Sequence, residues 1–206
     1  MNEFDKTARC AIGNMDYPRL NRIKIGIAGA GGLGSNCALN LVRSGFKKLK
    51  IVDFDKVEFS NLNRQFYFYE QVGKEKIEAL KENLLKINPD LELDMVNARI
   101  DAGNVACLFE DCDVIAEGLD SAEDKKMLVE RMLAENKFVV SASGICGYGK
   151  CDDIKVHHLM HNLAVVGDLK TSTDCRAPIS PRVNIVAAKQ ADIILSYVMG
   201  NLDGKK

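Results

Sequence analysis

A chain of 206 residues corresponds to one domain of ordinary size and is long enough to bury a substantial core. Its 28 Lys and Arg against 29 Asp and Glu leave a net charge of −1, so no overall positive field draws it to nucleic acid or to an anionic membrane. With 47% hydrophobic and 28% charged residues, the composition is that of a soluble globular protein rather than a disordered, collagenous or membrane chain.

The longest uncharged run, residues 25–42, holds five glycines together with Ser35, Asn36 and Asn40, too polar and broken for a membrane span. The charged amino terminus, MNEFDKTAR, lacks the apolar stretch of a secretory signal, so a cytoplasmic setting is expected. Seven cysteines include no C-x-x-C pair, which argues against a disulfide framework and against the strongest zinc pattern. Reduced and mostly buried thiols are the simplest expectation.

In chain order, residues 22–28 (RIKIGIA) predict a strand that feeds a glycine cluster, and residues 36–43 predict a helix with Ala38, Leu39 and Val42 inward. Residues 48–54 predict a second strand. Residues 75–87 place Ile77, Leu80, Leu84 and Ile87 on one helical face before the Asn88-Pro89 stop. Strands follow at 91–98 and 113–116, then a charged amphipathic helix at 122–135 and a strand at 137–142. This alternation predicts an α/β, Rossmann-like architecture: a mostly parallel sheet with helices on both faces. After Ser143 the pattern changes to two short antiparallel strands, 154–158 and 163–166, a mobile surface loop at 171–181, and a long apolar helix at 183–199.

The cluster Gly29-Ala30-Gly31-Gly32-Leu33-Gly34 satisfies G-x-G-x-x-G between a strand and a helix. Glycines let the backbone turn tightly and approach a phosphate, while the free N–H groups of a helix start favour an anion. Asp53 lies 19 residues after Gly34, at the end of the second strand, where a carboxylate can accept hydrogen bonds from ribose. These features say nucleotide without saying which one, and a tight turn without a ligand is the plainer alternative.

The stretch after Asp53 discriminates further. The string from Asp53 through SNLNRQ (residues 53–65), the glycine cluster before it, VGKEK (72–76) and EGLDS (117–121) after it, and APISP (177–181) leading into the last helix occur in one order. Together they resemble the ThiF/MoeB/HesA family, bacterial relatives of ubiquitin-activating enzymes, over nearly the whole chain. The resemblance implies adenylation, with MgATP, of the carboxyl-terminal glycine of a ubiquitin-like sulfur carrier, ThiS-like in the leading reading, with release of pyrophosphate. It implies that Gly29, Gly31, Gly32 and Gly34 form the nucleotide loop, that Asp53 holds ribose, and that Asn61, Arg64, Gln65 and Lys76 surround the phosphates. It implies Asp120 as the magnesium ligand, with Asp55 in a supporting or turn-forming place. Arg9 would reach into a partner subunit's site, in a homodimer.

Plainer alternatives stand beside these. Arg64, Lys76 and Arg9 could be solvated surface charges, and Asp120 could simply cap the following helix. His157, His158 and His161 are expected to be exposed or at the core edge. The chain lacks the two C-x-x-C pairs with which many family members bind zinc. Cys175, in the loop beside Arg176, could serve sulfur transfer or be an incidental thiol. A molybdopterin-pathway carrier would need the same ATP site. A nicotinamide-dependent oxidoreductase would share the fold but leaves SNLNRQ and Asp120 without a purpose.

Overall fold

The computed structural model of the protein describes residues 1–172 and 176–200. It opens with two helices that the periodicity did not reveal, α1 (Glu3–Ile12) and α2 (Tyr17–Leu20). Asn2 starts α1 by accepting the Asp5 N–H at 2.9 Å, and Gly13, at φ 104°, ends it. There follow β1 (Lys24–Ala28), α3 (Gly32–Arg43), β2 (Lys48–Asp53), α4 (Lys76–Leu85), β3 (Glu92–Asn97), α5 (Val105–Phe109) and β4 (Val114–Glu117). The chain continues through α6 (Ala122–Ala134), β5 (Phe138–Ala142), β6 (Lys155–Met160), β7 (Leu163–Gly167) and α7 (Ser180–Val198). The short α5 was also missed, because five residues are too few to display a helical period.

The seven strands form one sheet in the order β3-β2-β1-β4-β5-β7-β6. Pairings from β3 across to β7 are parallel, and only β6 runs antiparallel, against β7. The expected antiparallel pair therefore extends the main sheet, with β7 also joined in parallel to β5 and β6 left as the edge. Strands β4 and β5 are buried throughout, as uninterrupted apolar runs in a sheet covered on both faces must be. One core cluster gathers α3, α4 and α7 with Ile25, Ile27 and Ile51; the other gathers Phe109, Leu128 and Met132 of α5 and α6 with Ala28 and Val52. Alternate residues of β1 thus serve opposite faces.

Two helix starts differ from the periodicity. The α3 helix begins at Gly32 rather than 36, since its first turn is the glycine cluster itself, and α7 begins at Ser180 rather than 183, with Pro181 in its first turn, where a missing N–H costs nothing. Helices α1 and α2 pack where β2 and β3 begin. Asp5 takes Lys47 at 2.5 Å, and its other oxygen accepts from Tyr17 and Asn88, both at 3.2 Å. The loops at the opposite, carboxyl ends of β1, β2, β4 and β5 are left open. That is the face, either side of the point where strand order reverses at β1, on which sheets of this kind bind ligands.

Candidate functional site

At the end of β1 the chain turns through Gly29, at φ 88°, and enters α3. A Cβ on Gly34 would lie 1.8 Å from the Gly29 carbonyl oxygen, so the turn can close only around glycine. Asp53 braces this loop: its carboxylate accepts the Ala30 N–H at 2.6 Å and the Asp55 N–H at 2.8 Å. Burial raises its pKa, against the opposing charge of Lys76 and these two N–H bonds. From the other side, the Tyr67 hydroxyl donates to the Ala30 carbonyl at 2.7 Å.

Around the loop opens a cleft of about 210 Å³, lined by Gly29, Gly31, Asp53, Asp55, Lys76 and Asp120, with an apolar wall of Ala98, Ile100 and Leu119. The Lys76 side chain is only 7% exposed and its Nζ lies 2.8 Å from Asp55 Oδ2, so Asp55 aims the ammonium group along the cleft floor. Arg99, which sequence reasoning passed over, lines the same cleft with its guanidinium 5.8 Å from the centre of the exposed Phe54 ring.

A second groove, about 530 Å³, meets the first at Gly118, Leu119 and Asp120 and holds Gly32, Arg64, Gln65, Lys125 and Cys146. Arg64 is oriented by its own loop, with Nη1 donating to the Ser60 carbonyl at 2.9 Å and to Asn63 Oδ1 at 2.8 Å. Gln65 Oε1 is buried without a hydrogen-bond partner among the described residues. Asn61 lines neither cavity; it closes the short helical turn 59–61 by accepting the Glu58 N–H at 3.0 Å. Asp120 is exposed where the two cavities meet, and its carboxylate has no hydrogen bond or ion pair among the described residues. The capping alternative fails for it, because Ser121 caps α6 by accepting the Asp124 N–H at 3.0 Å.

Beneath the second groove is a buried charge network that no local motif announced. Glu117 accepts from Ser141 Oγ at 2.6 Å, from the Leu119 N–H at 2.6 Å and from Lys125 Nζ at 2.9 and 3.0 Å. It fixes the Gly118-Leu119-Asp120 turn between β4 and α6 and presents Lys125 to the groove. Among the described residues no three His, Cys, Asp or Glu side chains gather as a metal cluster. Arg9 is not at this end of the sheet: it lies on α1, at the amino-terminal end of the strands, with Nε buried and without a partner among the described residues. His157 is half-buried, with Nε2 3.1 Å from the Gly167 carbonyl, while His158 and His161 are exposed. Cys175, and with it the centre of the loop at 171–181, lies outside the described residues. No helix among the described residues is long and apolar enough to cross a membrane.

The profile of the ThiF family matches residues 6–206. The chain belongs to the ThiF family. It is 31% identical over 140 residues to SUMO-activating enzyme subunit 2 of Dictyostelium discoideum, covering 67% of this chain and 21% of that protein. It is 30% identical over 135 residues to adenylyltransferase and sulfurtransferase MOCS3 of Anopheles gambiae, covering 65% and 31%. The chain therefore spans less than a third of the length of these curated relatives. Among solved structures, E. coli tRNA N6-threonylcarbamoyladenosine dehydratase, TcdA, crystallised with AMP, superposes with a TM-score of 0.86 at 19% identity over 97% of this chain and 95% of that one. At that identity the likeness establishes a shared fold: the mostly parallel sheet with the antiparallel strand at its edge.

Proposed function

We propose that this ThiF-family chain, as one domain over residues 1–206, uses ATP to adenylate the carboxyl-terminal glycine of a ubiquitin-like sulfur carrier of the ThiS type. The observation that carries the reading is the meeting of two cavities at the unpaired carboxylate of Asp120, one floored by the glycine loop and Lys76, the other walled by Arg64 and Lys125. The adenosine fits the cleft with the apolar wall. The remaining lone pairs of Asp53 accept from ribose, and the N–H groups opening α3 face the phosphates together with Lys76. Gln65, which lines the second groove with its Nε2 toward Gly31, borders the phosphate path and can donate to a phosphate oxygen.

A carrier carboxylate entering the second groove places its oxygen for attack on the α-phosphorus. The new bond is carboxyl oxygen to phosphorus, the bond to pyrophosphate breaks, and the protein supplies no nucleophile. Two anions approach each other and charge builds on pyrophosphate, so the work of the protein is to position them and to offset charge through Arg64, Lys76 and Lys125. Asp120 fits a magnesium ligand, being a hard oxygen donor with no competing partner, and the bound ion would neutralise phosphate charge. In this reading Asn61 supports the loop that carries Arg64 instead of touching phosphate. Arg9, at the far end of the sheet, could act only in a neighbouring copy's site within a homodimer.

Pyrophosphate exchange into ATP tests the reading, measured with purified ThiS-type and molybdopterin-pathway carriers in turn. Exchange is expected with a carrier and absent without one. Exchange with the molybdopterin-pathway carrier alone would move the substrate within the class. No carrier-dependent exchange, with nicotinamide-linked turnover instead, would replace the reading by that of an oxidoreductase.

A further inference from the structure

A third groove, about 790 Å³, adjoins the second at Cys146, Thr171 and Ser172 and runs toward the β6 edge of the sheet. Lys150, Lys155, Lys170 and Arg176 border it; all four are exposed, and none forms an ion pair with another described residue. Arg182 and Asp168 in its floor neutralise each other at 2.5 Å, so that among the described residues lining the groove Asp153 is the one acid left beside these four cations. The chain as a whole carries −1, so this positive charge is a local concentration. Between the cations stand Tyr148, 69% exposed with the Arg176 guanidinium 5.5 Å from its ring centre, and Leu169, 47% exposed. Arginine and tyrosine beside apolar surface are residues enriched at the core of protein interfaces.

We infer that this groove docks an acidic face of the protein whose carboxyl terminus is adenylated, a role that rests on the function proposed above. The geometry leaves the body of such a partner little choice. Its terminus must reach Asp120 in the second groove, the first cleft is taken by the nucleotide, and the third groove is the continuation on the other side. A nucleic acid fits less well, because Asp153 and the exposed Leu169 interrupt the positive surface and the net charge supplies no long-range attraction to a phosphate backbone. Carboxylates spaced by apolar side chains match the mixed lining.

The test compares the parent with Lys155→Glu/Lys170→Glu, two side chains outside the nucleotide site. The measurements are direct binding of a full-length ThiS-type carrier without ATP, and KM and kcat in pyrophosphate exchange for that carrier and for a synthetic peptide of its tail. Binding of the full carrier by the parent should weaken with added salt, and the double reversal should raise its KM about tenfold or more with kcat unchanged. KM for the tail peptide and affinity for ATP should stay at parent values. Equal KM for the full carrier in both proteins overturns the docking surface, as does an equal rise for carrier and tail peptide. Parent binding to a single-stranded RNA that the reversal abolishes, with carrier binding unaltered, overturns it in favour of nucleic acid. Salt-sensitive carrier binding that the reversal weakens, without exchange in the parent, upholds the docking surface and overturns the adenylation reading instead.

Discussion

Replacing Arg182 by methionine should destabilise the fold by about 3 to 5 kcal/mol, the cost of removing one partner from a buried ion pair and leaving the other charge uncompensated. The side chains of Arg182 and Asp168 are 4% and 8% exposed, so solvent cannot stand in for the lost partner. The guanidinium also donates to the carbonyls of Gly149 at 3.0 Å and of Lys150 and Gly144 at 3.4 Å, so it ties the 144–150 loop to the turn after β7. Both segments hold non-glycine residues in the left-handed region, Lys150 at φ 48° and Leu169 at φ 58°, a local cost that the clamp sustains. Urea denaturation measures the effect: with a slope of about 3 kcal/mol/M, the midpoint should fall by roughly 1 to 1.7 M. Asp168→Asn keeps an acceptor for the Lys170 and Thr171 N–H groups while removing the charge, so adding it to Arg182→Met should recover part of the loss. Burial raises the Asp168 pKa, but hydrogen bonds from Thr171, Lys170 and Arg182 outweigh it and hold the carboxyl below the usual range. Its contribution is therefore fully present above the unfolded value near 3.9 and lost as pH falls through the native one. A loss below about 1 kcal/mol in Arg182→Met, the size typical of exposed pairs, would refute the clamp.

Arg64→Ala and Asp120→Ala should melt near the parent temperature yet lose carrier-dependent pyrophosphate exchange by about 10² to 10³, the scale of removing one well-placed donor, and Asp120→Ala should also lose its response to Mg²⁺. Gly34→Ala should abolish binding of a fluorescent ATP analogue, since its Cβ would collide with the Gly29 carbonyl, and retained binding would refute the loop's place in the site. Lys24 and Lys50 share Asp94 and Asp111 where β1 to β3 begin; despite some burial, these ammonium partners hold both carboxyls below the usual range. The network's stabilisation should be complete above about pH 4 and fade as pH falls through the lowered native values, and Asp111→Asn should flatten that part of a melting-temperature profile. Iodoacetamide with mass spectrometry should label exposed Cys10, Cys107 and Cys151 in the native protein, whereas Cys37 and Cys112, whose thiols burial pushes up to about 12, should react only after unfolding.

Much of this protein is written locally. Strands β1 to β5 and helices α4, α6 and α7 declare themselves, the helices because their buried faces repeat at the helical period and the strands because short β-rich runs are bounded by turn residues. The glycine turn is legible for the same kind of reason, since Gly29 and Gly34 answer a steric demand that lies within six consecutive residues. What periodicity cannot encode is which elements become neighbours. Glu117 meets Ser141 and Gln190, and Arg182 meets Gly144 and Asp168, across gaps in the chain that leave no spacing to read. Tertiary structure also separated residues that the resemblance had grouped around the phosphates: it sent Arg64 to the second groove, Lys76 to the first cleft and Asn61 to a turn, because each side chain took the nearest partner able to satisfy it. It likewise carried Arg9 to the far end of the sheet, where α1 is held by the pairing of Asp5 with Lys47. The sequence by itself thus determined those strands and helices and the glycine loop, whose physics is local, but not α1, α2 or α5. The alignment of three cavities along the carboxyl ends of the strands was decided only when the sheet placed β1, β4 and β5 side by side.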